Sequence, residues 1–260
     1  MGFRKFVLIT GLSMILGGGM ISAGAFAFLG FDISRMKMNE YERQTVNIEE
    51  DFTDIKIDAD LADIRLELSD DGKCRVDFLI PEEKDHSAEV KEGCLSVFSR
   101  NDGKKDSANL FFQIPCVTLY LPEKEYTSLN ISLTTGDVEL PEKLCLRSAD
   151  ISVTAGSVTV ASRLSDTLSV HTVTGSIGVE AVVLSGEMRL SCNTGEIELN
   201  DCDASSLYLS TNVGDIEGSL LSEKIFRVQN HFGDVDVPQC NSGGICDISC
   251  HTGDIEISLH

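Results

Sequence analysis

Basic side chains are scarce in this sequence: 21 lysines and arginines face 42 aspartates and glutamates over 260 residues, for a formal net charge of -21. That deficit repels nucleic-acid phosphates and anionic lipid headgroups, and nucleic acid is set aside as a partner. Tryptophan is absent. No C-x-x-C pair occurs among the nine cysteines (Cys74, Cys94, Cys116, Cys145, Cys192, Cys202, Cys240, Cys246 and Cys250), so neither a zinc ribbon nor a thioredoxin-like redox site is supported. Cys246 and Cys250, the pair closest in sequence, would stand about 13 Å apart on one extended strand, beyond the reach of a disulfide. Most of the cysteines are expected to be small apolar core residues kept reduced. The sequence also lacks a G-x-S-x-G elbow, a phosphate loop, a nucleophile beside a base and paired carboxylates in a cleft. No catalytic, cofactor-binding or metal residue is assigned, no cofactor is expected, and the chain is read as not an enzyme.

Charge is missing altogether from Phe6 to Phe31, a run of 26 residues behind a basic tail, residues 1–5, that carries Arg4 and Lys5. Such a run is long enough to cross a hydrocarbon core of about 30 Å as a tilted helix. Residues 6–31 are read as a transmembrane anchor. The rival is a cleaved signal peptide, since Ala23-Gly24-Ala25 and Ala25-Phe26-Ala27 both fit a small-x-small cleavage site. No cysteine precedes Cys74, which excludes a lipid-anchored lipoprotein. Arg35, Lys37 and Arg43 follow the span, so charge barely chooses an orientation. A short basic tail ahead of the first span favours a single-pass protein of the cell membrane with its C-terminal part outside. The free thiols favour the opposite, cytoplasmic placement. Residues 32–47 read as a polar juxtamembrane linker.

The second half of the chain carries one pattern every 19 or 20 residues. It aligns on Gly136, Gly156, Gly175, Gly195, Gly214, Gly233 and Gly253, spaced by 20, 19, 20, 19, 19 and 20 residues. A fixed period of this length marks a chain that coils and stacks its turns. Two residues after each glycine stand Val138, Val158, Ile177, Ile197, Ile216, Val235 and Ile255. Five before stand Ile131, Ile151, Val170, Leu190, Leu209, Val228 and Ile248. Both columns are wholly apolar, and the positions between them alternate with polar residues, as in strands with one buried face. Each glycine marks a turn that needs a positive φ or a close stacked approach. The fold expected is an all-β, single-stack β-solenoid, with seven turns over residues 126–260. Residues 48–125 form a divergent first turn, with Ala62 in the glycine position, and an N-terminal β cap. Strands are expected there at Cys74–Leu79, Leu95–Ser99, Leu110–Ile114 and Val117–Leu121.

Outward columns are where function is sought. The position after the glycine and the one two further on become uniformly acidic from the fourth turn. The acidic surface comprises Asp137, Glu139, Glu196, Glu198, Asp215, Glu217, Asp234, Asp236, Asp254 and Glu256. It is read as a hydrated, solubilising face or one hydrogen-bonded to turn amides. Weak calcium or magnesium binding is the alternative, although the glycine-rich nonapeptide that cages calcium in other solenoids is absent. A serine-rich column lies four before the glycine, and His231 and His251 share the position two before it on successive turns. The chain stops at Ile255–His260 without a cap, so its C-terminal turn is expected to be an exposed end that docks onto a partner or a second copy.

Residues Val117–Leu140, VTLYLPEKEYTSLNISLTTGDVEL, with the returning Thr-Gly-Asp-Ile-Glu turn, resemble a bacterial family of putative adhesins, a β-strand-repeat domain of unknown function in envelope-associated proteins. The resemblance covers most of residues 50–260. It implies a membrane-anchored envelope protein that presents a binding surface, in adhesion or in sensing envelope stress. The expected partner is a protein or another envelope component. A cytoplasmic-facing regulatory or scaffold module is the alternative.

Overall fold

From Glu125 onward each period forms a long strand, a glycine turn and a short strand. In the computed structural model these are β8 (Glu125–Thr135) and β9 (Val138–Leu140), β10 (Cys145–Ala155) and β11 (Val158–Val160), then β12 (Arg163–Thr174) and β13 (Ile177–Glu180). They are followed by β14 (Glu187–Thr194) and β15 (Ile197–Cys202), then β16 (Ser206–Val213) and β17 (Ile216–Leu220). Last come β18 (Lys224–Phe232) and β19 (Val235–Asp236), and β20 (Gly244–Thr252) and β21 (Ile255–Leu259). Long strands pair with long and short with short, in parallel and in register: Ile151 stands opposite Ile131 and Val170, and Val158 opposite Val138 and Ile177. The apolar columns thereby face each other between two sheets, where Ile131, Ile151, Val158 and Ile177 are each at most 1% exposed.

The structure describes residues 41–81, 85–100 and 115–260, all within one compact unit. The expected span at residues 6–31 and the strand expected at 110–114 lie outside the described residues. Among the described residues every regular element is a strand, and no helix is long and apolar enough to cross a membrane. The earlier strands are β1 (Tyr41–Ile48), β2 (Asp54–Leu61), β3 (Asp63–Leu68), β4 (Cys74–Pro81), β5 (Asp85–Lys91), β6 (Cys94–Arg100) and β7 (Cys116–Leu121). β2 pairs with β8 and β3 with β9, which places Ala62 below Gly136. Beyond them β6 and β7 add parallel strands, and the antiparallel β5, β4 and β1 close the edges. Tyr41–Ile48 is therefore a strand and not the end of a polar linker. Its alternation is weak because its partner β4 supplies the apolar residues Val76 and Phe78, both fully buried.

A larger departure lies at the other end. The long-strand sheet runs β8, β10, β12, β14, β16, β20, β18, and the short-strand sheet ends β17, β21, β19. The C-terminal turn is thus interior, inserted between the fifth and sixth, and the expectation of an exposed last turn is corrected. After β17 the segment 221–223 rises two levels at once. Three extended residues span about 10 Å, which matches two strand spacings of about 4.8 Å. The chain then returns through 237–243 to fill the gap. The exposed end is the sixth turn, where Phe232 and Val235 are 65% and 46% exposed, against 1% for the equivalent Ile255.

All nine cysteines are free thiols, and Cys74, Cys192, Cys202, Cys246 and Cys250 are buried. Burial pushes the Cys74 and Cys202 thiols up to about 11 and Cys246 to about 12, which suppresses the reactive thiolate. In native protein a maleimide should modify the half-buried Cys94, Cys116, Cys145 and Cys240 first. The five buried thiols should label only on unfolding, as counted by intact-mass spectrometry.

Candidate functional site

The glycine turns form the narrow edge where the two sheets meet. Gly175 has φ +137°, and a Cβ there would stand 2.0 Å from the carbonyl oxygen of Gly156 in the level below. Gly156 bears the same relation to Gly136, Gly195 to Gly175 and Gly214 to Gly195. Gly253 packs on Gly214, and Gly233 on Gly253, in the rearranged order.

The residue after the glycine is bound into this edge. Asp63 Oδ1 accepts the amide of Asp137, whose Oδ1 accepts that of Ser157. The Ser157 and Ser176 hydroxyls then accept the amides of Ser176 and Glu196. Asp215 Oδ1 accepts the Asp254 amide at 2.7 Å, and Asp254 Oδ1 accepts the Asp234 amide at 2.8 Å. Three of the ten acidic-surface residues, Asp137, Asp215 and Asp254, are therefore acceptors in a ladder that satisfies turn amides, and Glu196 and Asp234 join it through their own amides. The others, Glu139, Glu198, Glu217, Glu256 and Asp236, line the short-strand sheet. There Glu217 stands opposite both Glu198 and Glu256, and Glu256 opposite Asp236. Among the described residues no group of three or more histidine, cysteine or carboxylate side chains is placed to hold a metal ion.

The inward column three before the glycine is aliphatic at Leu133 and Val153 and polar or thiol-bearing from the third turn, where its bonds to the turn were not read from the sequence. Thr172, Thr211, Cys192 and Cys250 donate to glycine carbonyls, Thr172 Oγ1 to Gly175 at 3.1 Å and Cys192 Sγ to the same oxygen at 3.0 Å. At the outermost level Asn230 Nδ2 donates to Gly253 at 3.2 Å. These groups satisfy carbonyls that the tight turn points inward.

A composite surface depression lies on the outer face of the long-strand sheet, over β14, β16, β20 and β18. Two adjoining hollows of about 500 and 390 Å³ share the floor residues Ser191, Ser210 and Ser249. One wall is Arg189, Tyr208, Asp247 and Arg227, on successive strands in spatial order; the other is Asn193, Asn212, His251 and His231. Arg189 donates to Glu187 Oε1 from Nε at 3.1 Å and from Nη2 at 2.7 Å, and its guanidinium lies 4.4 Å above the Tyr208 ring. His231 and His251 do meet, with ring centroids 4.8 Å apart, and Phe232 meets His251 edge-on at 5.9 Å. Sequence reading found the serine column and the histidine pair but missed Arg189, Tyr208 and Arg227. Their column, six before the glycine, mixes residue types and becomes a wall only once β20 stands between β16 and β18.

A further hollow, of about 640 Å³, lies at the N-terminal cap. Of its two lysines, Lys73 and Lys124, the second is already committed: Lys124 Nζ donates to Asp51 and to the Phe52 carbonyl, at 2.5 and 2.6 Å, and sits 5.0 and 5.3 Å from the Phe52 and Tyr126 rings.

Comparison with solved structures finds similar chains at low identity. One is described as a putative cell adhesion protein from Clostridium sporogenes, at 14% identity and TM-score 0.42, covering 85% of this chain and 100% of that one. Two others are described as putative adhesins: one from Parabacteroides distasonis, at 16% identity and TM-score 0.44 over 85% and 98% of the two chains, and one from Bacteroides fragilis, at 17% and 0.40 over 85% and 99%. A comparison with curated proteins found no match. Among protein families the Toastrack DUF4097 domain matches residues 52–260, four-fifths of the sequence and the whole of the repeating region, and the chain belongs to that family.

Proposed function

We propose that this chain is a non-enzymatic binding module of the cell envelope, a β-solenoid held at the membrane by residues 6–31 and displayed outside for adhesion or for sensing envelope stress. The observation that carries this reading is the outer face of the long-strand sheet, where seven parallel strands repeat outward side chains in register on a backbone fixed by the glycine edge. Rows of that kind present a stiff array that needs little ordering when a ligand binds. The uncharged run at 6–31 supplies the tether. Proteinase K added to intact cells should digest the domain, with its fragments followed by immunoblotting. Protection on intact cells and digestion only after lysis would reject external display.

The nine free thiols favour a second reading, a regulatory or scaffold module facing the cytoplasm, since reduced cysteines persist there. A membrane-impermeant maleimide separates the two. Labelling of Cys94 or Cys240 on intact cells supports external display, and labelling confined to lysed cells supports the cytoplasmic module.

A further inference from the structure

We propose that the trough over β14, β16, β20 and β18 binds an acidic glycan, a linear polyhydroxylated chain bearing carboxylates; this rests on the reading of the chain as a binding module. The trough crosses four strands, about 14 Å at the usual strand spacing, and is about 13 Å wide between its walls. Those dimensions suit a short run of an extended polymer lying along the stack.

Charge selects an anion. Although the chain carries a net charge of -21, Asp247 is the one carboxylate among the residues lining these two hollows, and with Arg189 taken up by Glu187 the guanidinium open to a ligand is that of Arg227. The opposite sheet, by contrast, carries the Glu198, Glu217, Glu256 and Asp236 row. An anionic ligand is therefore repelled from that face and admitted at this one. Arg227 is only loosely held: its guanidinium is 3.9 Å from Asp247 and its side chain 64% exposed, so it keeps donors for a carboxylate.

The floor and walls select a sugar. Three serine hydroxyls offer donors and acceptors at strand spacing, and asparagine and histidine continue them along one wall. Tyr208, one ring face of which is held by Arg189, offers its other face for the C–H side of a pyranose. An acidic peptide is the poorer fit, because the serine floor has no apolar pocket for side chains and the free edge of β18 lies across the end of the trough rather than along it.

Titration calorimetry on the full-length protein in detergent micelles tests this with oligogalacturonate as the probe. Saturable binding is expected, weakened about tenfold or more by Arg227→Gln and by Tyr208→Ala and unchanged by Glu217→Gln on the acidic sheet. All three positions lie on the outer faces of the sheets, so melting temperatures should stay close to that of the parent protein. The proposal is overturned by absent binding, by either trough variant binding like the parent, or by equal binding of a neutral malto-oligosaccharide. Equal, competitive binding of poly-glutamate would show a charge-only site and overturn it too. Failure here with the domain still digested on intact cells removes the glycan and leaves the envelope module standing; protection on intact cells removes the display and leaves the trough chemistry untouched.

Discussion

Gly175→Ala is expected to cost about 3–5 kcal/mol of folding free energy. The new methyl would stand 2.0 Å from the Gly156 carbonyl oxygen and 2.5 Å from its carbon, and the residue would hold φ +137°, a region that alanine rarely enters. Relief requires the two levels to part by more than an ångström. Parting is resisted on both sides, by the hydrogen bond from the Gly175 amide to Thr194 at 3.0 Å and from the Gly156 amide to Thr174 at 2.9 Å. Gly178→Ala is the matched control, because nothing lies within 4 Å of a Cβ there; it should change stability by less than about 0.5 kcal/mol. In a domain of this size each kcal/mol shifts Tm by roughly 2–4 °C. Thermal unfolding followed by circular dichroism should therefore separate the variants by roughly 10 °C. Equal melting of the two would mean that the glycine edge is not what sets the spacing between levels.

The coil was legible because its two determinants, a glycine every 19 or 20 residues and two apolar columns around it, are local and repeat. The order of the last levels was not, and the reason is arithmetical. Ser210 and Ser249 are neighbours in space but 39 residues apart, two whole periods. Every residue of the final turn keeps its column whether it follows the sixth turn or slips beneath it. What marks the true end is small: Asn230 where other levels carry a threonine, cysteine or aliphatic residue, a short strand of only two residues at Val235–Asp236, and Lys224 at a position where its spatial neighbours carry Gly244 and Ser205. The acidic surface was legible as composition. Its division into a hydrogen-bonded ladder and an exposed row was not, because it depends on which backbone amides the turn leaves unpaired.

Lys224→Met is expected to cost about 2–4 kcal/mol, because Lys224 anchors that rearranged end. Lys224 opens the outermost strand, yet its side chain is only 4% exposed; it runs inward past Gly244, its in-register neighbour, to Asp203 Oδ1 at 2.5 Å and Ser222 Oγ at 2.7 Å. Gly244 serves the stacking rather than the lysine: a Cβ there would stand 2.0 Å from the Ser205 carbonyl oxygen, while the Lys224 Cδ passes at an ordinary 3.7 Å. The ammonium therefore ties the outermost level to the chain two levels below, across the inserted turn. Removing one member of a buried pair leaves the other desolvated and typically costs 3–5 kcal/mol; Asp203 keeps 21% side-chain exposure, which lowers the figure. Asp203→Asn should cost a similar amount, and the Lys224→Met/Asp203→Asn double variant clearly less than the sum. The pair also carries a pH signature. Burial pushes the Asp203 carboxyl up, but hydrogen bonds from Lys224 and Ser222, with the lysine charge, outweigh it and hold the group below its ordinary value of 3.8. A carboxyl depressed in the folded state contributes its stability above the unfolded value and loses it as pH falls through the folded one. The difference between the parent protein and Asp203→Asn should therefore be full at pH 6 and shrink below about pH 4. Hydrogen exchange locates the effect: amides of residues 224–243 should exchange faster in Lys224→Met, while those of β12 keep their protection. Uniform loss of protection along the coil would assign the lysine to global stability and leave the order of the last two turns to the connecting segments alone.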